Sequence, residues 1–109
     1  MSRAAQEKTV YKLFDSRTTT GTSGRIHLPS GRKTIHGYIT GTGAVSFTVT
    51  WYGADEDTDP GVAVNVPVTI AGNDSATDGI ELPADWPVWY ATISAIAGVG
   101  AAATVTVSV

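Results

Sequence analysis

The sequence predicts an all-β fold: a two-sheet β-sandwich or jelly roll with an extended N-terminal arm. Three observations predict it. Apolar residues alternate with small polar ones over several segments, the period-two mark of a half-buried strand. One motif is written twice. Residues 34–51 (TIHGYITGTGAVSFTVTW) and 91–107 (ATISAIAGVGAAATVTV) each run β-formers, then G-x-G-A, then a Thr/Val strand. No segment sustains the roughly 3.6-residue period of an amphipathic helix.

The elements follow in order. Residues 1–8 are polar and aperiodic and read as an arm, leaving 9–109 as a single β domain. Residues 9–14 are a short strand, 15–24 (DSRTTTGTSG) a loop, and 25–28 a strand closed by Pro29-Ser30-Gly31. Residues 33–40 and 44–52 are expected to form a hairpin about Gly41 to Ala44. In its second strand Val45, Phe47, Val49 and Trp51 share the buried face. Residues 53–61 (GADEDTDPG) are an acidic loop. Residues 62–70 alternate, with Pro67 marking an edge strand. Residues 71–79 read as a polar loop, and 82–87 as one helical turn at most. Residues 88–97 and 102–109 are expected to form a second hairpin about Gly98 to Ala101.

A chain of 109 residues is long enough to bury a core without staples. It has no cysteine, which excludes disulfides and thiolate metal sites. No apolar run reaches the ~20 residues of a membrane helix, and the N-terminus lacks a signal-like apolar core. Charge is strongly polarised. All seven Lys and Arg lie at or before Lys33, where the net charge is +5; the remainder holds eight acids and no base. The basic residues are scattered, so nucleic acid is not the expected partner.

Chemistry-bearing constellations are few. His27 and His36 stand alone, with no nucleophile motif at a fixed spacing, so no enzyme is expected. Asp55, Asp57 and Asp59 alternate as in a calcium loop, but Pro60 stands at the position of the turn glycine and Val66 at that of the distal acid. The loop reads as a solvated acidic turn, and no metal or cofactor is expected. Trp51 reads as core. Trp86, Trp89 and Tyr90 cluster, which fits a core plug or a subunit interface, where such residues are enriched. Residues 88–97 are apolar on both faces, which points to a dimer or trimer. Arg3, Lys8 and Lys12, with Trp86, Trp89 and Tyr90, are the candidate partner-contacting residues.

Three segments carry a resemblance: GRKTIHGYITGTGAVSFTVTWYGA, PVTIAGNDSATDGI and WPVWYATISAIAGVGAAATVTVSV. Over roughly residues 25–109 the chain resembles small bacteriophage virion proteins, notably head decoration (cement) proteins. Their pattern places a basic residue after the aromatic of the final motif; here Ala91 and Thr92 follow Tyr90. The resemblance implies a non-enzymatic β-sandwich that binds the outside of a capsid and bridges its subunits. Its partners would be the major capsid protein or another virion protein and further copies of itself. Its location would be the virion, after synthesis in the host cytoplasm. A carbohydrate-binding or adhesion module is the alternative from another class.

Overall fold

The computed structural model describes residues 9–109. Among them the chain is all-β: β1 (Val10–Arg17), β2 (Gly21–Thr22), β3 (Ile26–His27), β4 (Lys33–Ala54), β5 (Val62–Ala63), β6 (Val68–Leu82) and β7 (Val88–Ser108). The arm expected over residues 1–8 lies outside the described residues. By hydrogen bonding the strands form one antiparallel sheet of seven strands.

The centre of that sheet overturns the two expected hairpins. Each copy of the repeated motif is a single long strand that runs through its glycines, and the two strands pair with each other. The β4–β7 ladder extends from Thr34↔Ser108 to Ala54↔Val88. On the far side of β4, β6 pairs from Lys33↔Leu82 to Val49↔Val68, and β5 pairs at Tyr52↔Ala63. On the far side of β7 lie β1 at one end and β2 and β3 towards the other.

The glycines bend these strands without turning them back. Register breaks between Thr40 and Ala44 on the β6 side of β4, and around Thr42 on the β7 side. In β6, Asp74 adopts a φ of 67° at the same level, and its Oδ1 accepts the Gly43 N–H at 2.7 Å. Three adjacent strands are therefore irregular along one line. The inward phase survives the line, because Ile39 and Val45 are an even number of residues apart. Ile35 and Ile39 before it, and Val45, Phe47, Val49 and Trp51 after it, are all buried.

The inward face closes on itself across this line. A Cβ at Gly37 would stand 3.0 Å from Phe47 Cζ and 3.2 Å from Ile70 Cδ1. The Trp51 indole N–H donates to the Thr106 carbonyl at 3.1 Å. Ala91, Ile93, Ala103, Val105 and Val107 of β7 complete the core, with Phe14 of β1.

Other boundaries also differ from expectation. Residues 71–79 are strand, the middle of β6, where small polar side chains occupy an exposed edge. Of residues 62–70 only the ends are strand, and Pro67 lies between β5 and β6. The first strand continues to Arg17, and residues 83–87 are irregular.

Candidate functional site

The six candidate contact residues do not converge. Arg3 and Lys8 lie outside the described residues. Lys12 is exposed on β1 opposite Thr106, 3.6 Å from the Asp15 carboxylate. Trp86, Trp89 and Tyr90 sit towards the opposite end of β7, where Trp89 pairs with Ile26. Trp89 is fully buried, and its indole N–H donates to the Trp86 carbonyl at 2.7 Å. Trp86 is half-buried against Gly53. Trp89 and Tyr90 are thus engaged in this chain's own packing, and they present almost no surface to a partner.

Tyr90 anchors the region around the acidic loop. Its ring stacks on that of Tyr52, its cross-strand neighbour, with centroids 4.9 Å apart and planes at 4°. The Arg25 guanidinium lies 4.5 Å from the Tyr90 ring centre, a cation–π contact, and donates to the Glu56 carbonyl at 3.1 Å. The Tyr90 hydroxyl donates to the Pro60 carbonyl. At Tyr90, therefore, the second face of residues 88–97 is covered by this chain's own loop and aromatic neighbours.

The loop's acids serve its shape. Asp59 accepts N–H bonds from Gly61 at 3.0 Å and Asp55 at 3.3 Å. Those bonds, Gly61's first, hold its carboxyl below the usual carboxylate range. Asp57 lies 2.9 Å from His27 Nε2, with both side chains mostly exposed. Among the described residues, no group of three or more His, Cys, Asp or Glu is placed to hold a metal ion.

Lys33 is fully buried, which its position in the basic third of the chain did not foretell. Its ammonium donates to the carbonyls of Pro29 and Gly31 and to Asp85 Oδ1 at 3.0 Å. The Lys33 hydrogen bond, then the Gly31 N–H, hold the Asp85 carboxyl below its usual range. The group clips the 29–31 turn to the segment before β7.

A cleft of about 500 Å³, absent from the sequence reading, opens between β6 and residues 64–68. Its walls are apolar: Ile35, Trp51 and Ile70 are buried, Leu82 is half-buried, and Val66 and Ile80 are exposed. Val66 and Ile80 are among the most exposed large apolar side chains of the described residues. Asp78 is the one acid lining it. It stands opposite Gly37, on the inward phase of β6, and accepts the N–H of its neighbour Gly79 at 2.8 Å. No cation pairs with Asp78 among the described residues. Apolar walls with one unpaired carboxylate suit an occupant that combines an apolar body with a positive charge. The alternation of Val62, Val64, Val66 and Val68 was the available signal, but it reads equally as a strand.

No family model, no curated protein and no solved structure matches this chain.

Proposed function

We propose that the chain is a non-enzymatic structural protein of a bacteriophage virion, a decoration protein that binds the outside of the head and bridges capsid subunits. The observation that carries this reading is how the reactive side chains are used. Lys33, Tyr90 and Arg25 are each committed to fastening a loop to the sheet, and Asp59 to holding the shape of its own loop. Exposed large apolar side chains, Val66 and Ile80 among them, and a strand edge lie beside these fastenings. Such a molecule is built to hold its shape and present a surface. In the same reading the folded sheet is a two-layer β-sandwich. Support comes from the approach of Phe47 to Gly37 and the bond from Trp51 to Thr106, both across the glycine line.

The test is co-sedimentation of the purified protein with undecorated heads. A decoration protein saturates at a fixed ratio to capsid subunits and raises the temperature at which heads rupture. Sedimentation without the heads, joined to a tryptophan fluorescence change on glycan titration, would replace this reading with the adhesion module.

A further inference from the structure

We infer that the cleft beside β6 receives the N-terminal segment of a second copy of this chain, which adds as a strand to the β6 edge with Arg3 beside Asp78. This deepens the reading above by naming a self-contact. It is tested without heads, so either can fail alone.

β6 is an unusually open edge. Among the described residues it pairs only with β4, and it runs fifteen residues, Val68–Leu82. It contains neither Pro nor Lys, the residues that commonly blunt an edge. Its irregularity lies at Asp74, and Glu81 faces Arg32. The charge left unpaired between them, among the described residues, is Asp78, on the inward phase of the strand. It repels an apolar or acidic strand and accepts one that brings a cation.

The charge pattern narrows the donor. No Lys or Arg follows Lys33 in the sequence, so the cation comes from the first third of a chain. Within that third, Lys33 is buried on Asp85, Arg32 faces Glu81 at 3.5 Å, and Arg25 lies on Tyr90. β1 makes a poor donor: its register shifts twice, Ser16 has a φ of 55°, and Arg17 is bonded to Thr19 and Thr20. Residues 1–8 remain, with Arg3 and Lys8 against the single acid Glu7. Eight residues match the length of β6 from Ser75 to Leu82, the part that carries Asp78. In an extended segment Arg3 and Ala5 share a face, so a small apolar side chain accompanies the cation.

Geometry favours a second copy over the chain's own segment. Val10, Ser108, Thr34 and Glu81 form one row across the sheet. A strand added outside β6 lies four spacings from β1, about 19 Å, and Asp78 is about 10 Å further along. The seven residues from Val10 back to Arg3 span at most about 25 Å, short of the roughly 29 Å path around the sheet end. A neighbouring copy has no such path to cover.

The experiment is sedimentation equilibrium on the purified full chain, a 2–8 deletion, Arg3→Glu, Asp78→Lys and the Arg3→Glu/Asp78→Lys pair. The full chain is expected to associate. The deletion is expected to be a monomer with unchanged circular dichroism. Each single charge reversal should weaken association by up to about fivefold, and the pair should recover it. A synthetic 1–9 peptide added to the deleted protein should shift Trp51 fluorescence and slow exchange of β6 amides, less so at high salt. A monomeric full chain, an oligomer indifferent to the deletion, or a peptide that leaves β6 amides unprotected overturns the proposal.

Discussion

The Trp51 indole N–H reaches the Thr106 carbonyl across the buried interior, at 3.1 Å. Trp51 lies beyond the glycines of β4, while Thr106 pairs with His36, before them. One side chain therefore ties the two parts of the bent sheet together. Trp51→Phe removes the bond and leaves a void, at a cost of about 1–3 kcal/mol. Urea denaturation measures it, and Trp51→Phe should lower the midpoint while β content at low urea is kept.

The bend rests unequally on its glycines. A Cβ at Gly98 would lie 2.7 Å from Val45 Cγ1 and 2.8 Å from the Ala44 carbonyl oxygen, at a φ of 126°. Gly100 has a φ of 65° and nothing within 4 Å of the same position. Gly100→Ala should therefore cost about 1 kcal/mol, the price of a left-handed alanine. Gly98→Ala adds a backbone clash and should exceed it by about 1–3 kcal/mol. Equal melting temperatures for the two variants would contradict the bend as described.

The Lys33–Asp85 clip has a pH signature. The folded-state pKa of Asp85 is depressed, first by the Lys33 hydrogen bond and then by the Gly31 N–H. Its stabilising contribution is thus complete above the ordinary aspartate value of about 3.9 and fades as pH falls below it, through the folded value. Asp59 acts in the same window and sense. In thermal melts, Asp85→Asn should lose less melting temperature than the parent chain as pH falls from about 5 to 3. The two proteins should differ most near neutrality.

Within the acidic loop the aspartates should separate. Asp57→Ala removes one exposed contact to His27 and should change stability by less than about 0.5 kcal/mol. Asp59→Ala frees two backbone N–H groups and should lower the melting temperature more. A larger effect at Asp57 than at Asp59 would contradict the assigned roles.

Strand identity was legible where alternation was clean. Val45, Phe47, Val49 and Trp51 are buried on one face as their spacing required, and Val105 and Val107 likewise. Pairing was not legible. G-x-G-A between two β-rich runs suits a hairpin by local chemistry, yet the same glycines tolerate a bend. The choice is made by partners distant in sequence, since Thr42 lies beside Val99. The clue was the even spacing from Ile39 to Val45, which lets one strand keep its phase through the glycines. The site was less legible still. A polar stretch such as 71–79 looks like loop because most of its side chains are exposed at an edge. Burial of Lys33 depends on carbonyls that only the folded 29–31 turn presents.

The two glycine-interrupted strands are each continuous and pair with one another, which among the described residues leaves β6 as an open edge. Backbone NOEs in a labelled sample test it most directly. Cross-strand contacts between Gly37 and Val105, and between Ser46 and Ala97, are the predicted result. Backbone contacts pairing Thr40 with Val45 and Ala97 with Ala102, without any between residues 34–54 and 88–108, would contradict it.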